Sequence, residues 1–265
     1  NVTLTGNSHN IDLFALAGQP STATTVNFTV DTGILITSQS TATPGLDLAG
    51  FASGSVINII NNGYIQGRGG DGGEGASMAT GRADPDNAHN GTAARPGRPG
   101  GIAIRGPGAG RTVNIANGNG FIWGGGGGGG GGGATTENGN GYTAAAGGGG
   151  GGGAGGGNGG FGGGAADSGG TVKIGGDGTE GGVGRSATFG TGGAEYSDAT
   201  SDGGAGGNGG DFGAAGSAGA SPTAHSFDYA GGAAGAAGKA YELNGGSAPT
   251  FTSGAGFPNV KGAVS

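Results

Sequence analysis

Catalysis needs a nucleophile beside a base, or carboxylates sharing a pocket, and the side chains that could supply either are scattered along this sequence. His9, His89 and His225 stand in separate segments of different character, and no Ser-His-Asp order or metal-ligand spacing joins them. Glu195, Asp198 and Asp202 do share a segment, where a solvated acidic loop or a binding contact explains them better than a catalytic pair. Gly206-Gly207-Asn208-Gly209-Gly210-Asp211 matches the opening of the calcium-binding nonapeptide of parallel β-rolls, but Gly213 occupies its aliphatic position and no tandem array follows. Gly238-Lys239 resembles the end of a phosphate-binding loop, yet Ala240 stands where Ser or Thr is required and Ala233 where the first glycine belongs. There is no cysteine, hence no disulfide framework and no thiolate metal site. The sequence predicts no enzyme, no cofactor and no bound metal.

What remains is recognition chemistry, concentrated in four segments that interrupt the glycine. Residues 76–98 hold Arg82, Asp84, Asp86, His89 and Arg95, and residues 134–146 hold Glu137 and Tyr142. Residues 185–202 bring Phe189, Glu195, Tyr196 and Asp198, and residues 220–230 bring His225, Phe227, Asp228 and Tyr229. Tyrosine and arginine among small polar residues is a paratope-like mixture, giving rigid contact area with adaptable hydrogen bonds. Packing between loops is the alternative for Phe189 and Phe227. Phosphate-directed binding of nucleic acid is disfavoured by 10 Lys plus Arg against 17 Asp plus Glu, a net charge of −7. No run approaches the 18 apolar residues of a membrane span. The only methionine is Met78, which reads as a piece of a longer protein with its attachment region cut away.

The elements that must position those segments are built from glycine, 79 of 265 residues. Each glycine costs a helix roughly 1 kcal/mol relative to alanine, so almost no α-helix is expected. Only 32% of residues are hydrophobic, much of that alanine, and hydrogen bonding must carry more of the stability than usual. The first 66 residues cluster β-formers in short runs, such as Thr25-Val26-Asn27-Phe28-Thr29-Val30. An internal repeat follows: Val56-Ile57-Asn58-Ile59-Ile60-Asn61-Asn62-Gly63-Tyr64-Ile65-Gln66 is echoed, with one residue inserted, by the run from Thr112 to Trp123. Its Asn-Gly pairs predict tight turns with both central residues at positive φ. Thr171-Val172-Lys173-Ile174 is a third β piece leading into glycine, so three β pieces at a common base are expected to launch three tracts. Tyr64, Phe121 and Trp123 are expected to pack at that base.

The tracts have a period of three, as at Gly204, Gly207, Gly210, Gly213, Gly216 and Gly219, while the pure runs 124–133 and 147–153 satisfy any period. Three residues per turn is polyproline II geometry. A flexible linker is the alternative for runs this pure. Ordering them costs about 1 to 2 kcal/mol per residue, and a lone helix of this kind has no internal hydrogen bonds, so lateral bonds between neighbouring helices must offset it. The expected fold is non-α: a β-rich base at 1–66, a bundle of polyglycine II helices at 67–238, and a β-like return at 239–265. On paper the chain rises and falls through this bundle, with 147 to about 164 as one descending tract and 175–184 as an ascending one. All four chemically mixed segments then fall at the end opposite the base.

Asn61-Asn62-Gly63-Tyr64-Ile65-Gln66-Gly67-Arg68-Gly69-Gly70, Asn119-Gly120-Phe121-Ile122-Trp123 before ten glycines, and Gly245-Gly246-Ser247-Ala248-Pro249-Thr250-Phe251 resemble the receptor-recognising adhesins at the tip of T-even-type phage long tail fibres, and glycine-rich domains of tail-tip host-specificity proteins. The resemblance covers about residues 55–265. It shows no counterpart of those adhesins' attachment domain, and 1–54 match loosely. It implies a layered array of polyglycine II helices whose distal loops bind a bacterial outer-membrane protein or surface glycan, on a virion, with the rest of a tail fibre or tail-tip protein as partner. An ice-binding protein and a structural glycine-rich matrix protein are the competing readings.

Overall fold

The structure, a computed structural model, describes residues 1–77, 92–137, 143–166, 172–182, 187–197, 202–223 and 227–265. Among these, helix is confined to the single turn α1 (Leu13–Leu16), capped by the Asp12 carboxylate, which accepts from the Ala15 N–H at 3.0 Å. The strands run β1 (Val2–Leu4), β2 (Ser8–His9), β3 (Ile11–Asp12), β4 (Thr25–Val30), β5 (Leu35–Thr37), β6 (Leu46–Asp47), β7 (Val56–Asn61), β8 (Tyr64–Gln66), β9 (Ile104–Arg105), β10 (Thr112–Ala116) and β11 (Phe121–Trp123). Within the glycine-rich region lie β12 (Ala134–Glu137), β13 (Thr143–Ala145), β14 (Gly164–Ala166), β15 (Val172–Ile174) and β16 (Phe227–Tyr229). β17 (Tyr241–Glu242), β18 (Thr250–Ser253) and β19 (Val260–Lys261) end the chain.

Three parallel sheets, β1-β4-β7-β10-β18, β2-β5-β8-β11-β19 and β3-β6-β9-β17, receive one strand each from every pass of the chain. The base is therefore a three-sided parallel β-helix, and its fifth coil closes on the third side through a parallel bridge from Val264 to Tyr241. Alternation along the strands sends Phe28, Ile59 and Ile115 inward from the first side, Ile36, Ile65 and Ile122 from the second, and Leu46, Ile104 and Tyr241 from the third. Outside, Asn27, Asn58 and Asn114 form a hydrogen-bonded ladder, Asn114 to Asn58 at 2.9 Å and Asn58 to Asn27 at 2.8 Å.

The internal repeat is thus two stacked coils, not two hairpins. β7 pairs in register with β10, and β8 with β11, while the two strands of each repeat belong to different sheets. Neither Asn62-Gly63 nor Asn117-Gly118 has positive φ. Parallel stacking pairs each strand with its own copy one coil away, and asparagine serves the corner instead of a turn. The buried Asn61 side chain donates to Asn117 Oδ1 at 2.7 Å and accepts from the Gly63 N–H at 3.2 Å. The inserted residue is absorbed at the corner 117–120.

Glycine leaves the β-helix at one corner, between the second and third sides, as an excursion at 67–103 in the third coil and another at 124–240 in the fourth. The excursions form extended tracts at 67–76, 95–101, 124–133, 147–154, 157–163, 175–182, 187–194, 203–210, 214–220 and 231–239, bonded laterally with a three-residue repeat. Gly70, Gly73 and Ala76 donate to Gly126, Gly129 and Gly132. The tract 124–133 donates to 95–101, 147–154 and 214–220, and accepts from 67–76, 203–210 and 231–239. The tract 147–154 likewise has six neighbours: 67–76, 124–133, 157–163, 175–182, 187–194 and 203–210. These two are the pure glycine runs. Surrounded on all sides, they have no face that a Cβ could occupy; at every glycine of 124–133 a Cβ would lie under 3.0 Å from neighbouring backbone. The other tracts form a ring around them, with glycine on inward faces only.

Two reversals depart from the expected path. Residues 147–163 are two antiparallel tracts joined by a turn in which Gly155 and Gly156 have φ of 104° and 84°, and Gly160 and Gly163 donate back to Gly150 and Gly147. The following tract, 175–182, therefore descends toward the base, and 187–194 is a further tract rising again, with Gly190 and Gly193 donating to Gly152 and Gly149. The two missed reversals cancel, so 203–210 and the tracts after it run as expected, turning at Asp211-Phe212. At the base, Tyr64 stacks on Phe121 with centroids 5.1 Å apart, and Trp123 packs against Phe212 at 5.0 Å, as expected of the three aromatic residues in the repeat.

Candidate functional site

Where tracts end away from the β-helix, the chain stops being glycine and forms short antiparallel pairs. β12 pairs with β13 and with β16, aligning Glu137 with Thr143, Thr136 with Phe227, Thr135 with Asp228 and Ala134 with Tyr229. Beside this three-stranded sheet, β14 pairs with β15. Tyr196 is bridged to Ala146 and donates its N–H to the Ala146 carbonyl at 3.0 Å; Ser197 is bridged to Asp202, and Ser77 to Thr92. The Gly164 N–H donates to Ser77 Oγ at 3.0 Å, tying two of these segments together. Beneath them Ala76, Ala134 and Ala146 are fully buried and carry half-buried Tyr196 and Tyr229. The methyl groups cap the array where glycine gives way to side chains, and the tyrosines pack on that apolar floor.

The structure brings together Glu137, Phe227, Asp228 and Tyr229 on one sheet, with Tyr196 and exposed Glu195 alongside. Arg95 sits at the distal end of its tract. Its backbone is held by Glu74 and Gly131, and its exposed side chain pairs with Glu74 at 3.3 Å. An ion pair this exposed contributes about 0 to 1 kcal/mol, which leaves the guanidinium available. Phe189 is set apart: it lies within the tract 187–194, next to Gly190, toward the β-helix end, and is 41% exposed. Arg82, Asp84, Asp86, His89, Tyr142, Asp198 and His225 fall outside the described residues.

Sequence reasoning missed a fifth distal segment. The paired strands β14 and β15 stand at the distal end because the tract 157–163 ascends, whereas Thr171-Val172-Lys173-Ile174 was expected at the base. Ile174 is 65% exposed, and Phe161, in the adjoining tract, is 69% exposed. The signal lay in the spacing of the residues that interrupt the run: Asn158 and Phe161 are three apart, but Ala154 precedes Asn158 by four. Among the described residues no group of His, Cys, Asp and Glu could hold a metal ion, and no helix is long and apolar enough to cross a membrane.

A family model described as phage tail fibre adhesin Gp38 matches residues 1–263. The chain belongs to that family. The match spans the N-terminal coils as well as the glycine array, which corrects the expectation that residues 1–54 match only loosely. The adhesin is similar to the crystal structure of the gp37-gp38 adhesin tip complex of the bacteriophage S16 long tail fibre, at 26% identity over 99% of this chain and 80% of that one, with a TM-score of 0.49. No curated protein matches it. As a tail fibre adhesin it is a receptor-binding protein of the virion, and its distal end brings together aromatic and charged residues on short strands beyond the glycine tracts.

Proposed function

We propose that the adhesin recognises a bacterial outer-surface receptor, most simply an outer-membrane protein, through its distal segments 77–92, 134–146, 164–174, 195–202 and 221–230. The observation that supports this is the gathering of the described residues of those segments, β12 to β16 and the bridges at Ser77, Ala146 and Ser197, at one end of a body whose other end is a β-helix. The lateral period of three fits polyglycine II helices, whose inward backbone is committed to neighbours, so receptor contacts fall to the side chains beyond the last glycine. In this reading the excursions 67–103 and 124–240 are scaffold plus recognition surface, and the β-helix end carries the mount on the rest of the fibre. A receptor glycan is the alternative partner.

Exchanging 221–230 or 195–202 for the corresponding residues of a relative tests it. The exchanged protein should keep its circular dichroism spectrum and change which outer-membrane-protein deletion strains it binds. Unaltered binding across that panel would remove the distal segments from the reading; loss of binding only in strains with truncated surface glycan would move the partner from protein to glycan.

A further inference from the structure

A ring of outer tracts gives the array a perimeter, and laterally bonding backbone left open at a perimeter is a place for another chain to add, as at the edge of a sheet. No glycine of the tracts faces open space; each meets a neighbouring tract or base residue within 4 Å. Outward rows carry side chains instead, and several close the edge by accepting outward N–H groups. Asp71 accepts from Asn158 at 2.9 Å, Asp177 from Gly162 at 2.8 Å, Asn208 from Gly192 at 2.9 Å and Ser217 from Asn208 at 2.7 Å. The tract 95–101 uses another device, since Pro96 and Pro99 have no N–H to offer.

The tract 231–239 has such a partner only at its distal end, where Ser221 Oγ accepts from the Gly231 N–H at 3.4 Å, and neither device along 232–238. Its inward glycines Gly232, Gly235 and Gly238 donate to 124–133, but the N–H groups of Ala233, Ala234, Ala236 and Ala237 have no partner among the described residues. Only four methyl groups stand between this edge and a further tract. At the array's spacing a methyl is enough: a Cβ on Gly232 or Gly235 would lie under 3.0 Å from the carbonyl of Arg95 or Arg98. We propose that Ala233, Ala234, Ala236 and Ala237 are terminators, whose side chains stop a second copy of this chain from laying its own tract against the open edge. The alanine content of this tract then has a purpose that neither packing nor receptor binding supplies.

The test is sedimentation velocity on the whole chain over a range of concentrations. A variant carrying Ala233→Gly, Ala234→Gly, Ala236→Gly and Ala237→Gly should form concentration-dependent assemblies larger than the parent. Serine at the same four positions keeps a Cβ and should sediment as the parent does. A folded glycine variant that also sediments as the parent overturns the proposal. Should the fourfold variant lose the parent's circular dichroism spectrum, A233G/A236G and A234G/A237G, each opening one row, are read in the same way. Failure of all three to fold would also overturn it, because the alanines would then be needed for folding.

Discussion

Tyr241 is fully buried in the β-helix core, and its hydroxyl is the one buried side-chain polar atom without a partner among the described residues. Burying such a group unpaired costs about 1 to 3 kcal/mol, so Tyr241→Phe should raise the melting temperature, by an amount corresponding to about 1 kcal/mol. Burial also pushes the phenol's pKa up from its ordinary value of 10.0. A raised folded-state pKa means the unfolded chain gives up its proton first, so this stability is intact below pH 10 and falls as pH rises above it. The gap between Tyr241→Phe and the parent should therefore widen between pH 8 and pH 10.5 in thermal melts. Glycine in the inner tracts is constrained differently. Gly129→Ala would force a Cβ under 3.0 Å from the backbone of Gly207 and Asn208, and overpacking without room to relax costs roughly 1 to 3 kcal/mol or more. Ala218→Ser, on an exposed outward row, should change stability by less than about 0.5 kcal/mol; equal effects of the two would contradict the enclosed position of 124–133.

Tracts and turns show what glycine conceals. The period of three was legible because outer tracts need glycine only on inward faces, leaving side chains such as Arg68, Asp71 and Glu74 at regular intervals. The coil repeat was legible because stacked strands share side chains in register. The turn at 154–156 was masked, since the pure run before it is compatible with any phase, a reversal needs only glycine, and the shift in spacing at Ala154 is a single residue. The Asn-Gly corners misled for the opposite reason: a strong local turn signal was overridden by pairing between coils and by the buried Asn61 to Asn117 bond. Glu137, Tyr196 and Phe227 to Tyr229 lie in segments at the end away from the β-helix, whereas Phe189 lies toward the β-helix and β14 and β15 away from it, both differences following from a reversal that glycine conceals. The turn itself can be tested. Gly155 sits at φ 104°, with a Cβ direction blocked by the Gly67 carbonyl, so Gly155→Ala should destabilise by at least about 1 to 3 kcal/mol. A melting temperature equal to the parent's would show that the reversal lies elsewhere.

At the scale of the whole molecule, the glycine array is an insertion, not an appendage. The fourth coil is complete only when β17 returns to pair with β9 after the excursion 124–240, and the array closes only when the tract 231–239, continuous with β17, bonds to 124–133. The junction is tied further by Trp123, which packs on Phe212 and donates its Nε1–H to the Pro258 carbonyl at 2.9 Å. Lys261 Nζ lies 4.7 Å from the Trp123 ring and pairs with Asp211 at 3.0 Å. These contacts link a turn of the array to the fifth coil of the β-helix, so neither part can order its last element while the other is unfolded. Lateral bonds worth about 0.5 to 1.5 kcal/mol each stabilise the glycine backbone only when many form together, which again favours a single step. Thermal unfolding should therefore show one transition, with calorimetric and van't Hoff enthalpies in agreement. Trp123 fluorescence, which reports the junction, and the far-ultraviolet signal of the strands should change at the same temperature. Two separated transitions would mean that the β-helix holds its fourth coil without the array, and Trp123→Ala should then leave the array's own transition unmoved.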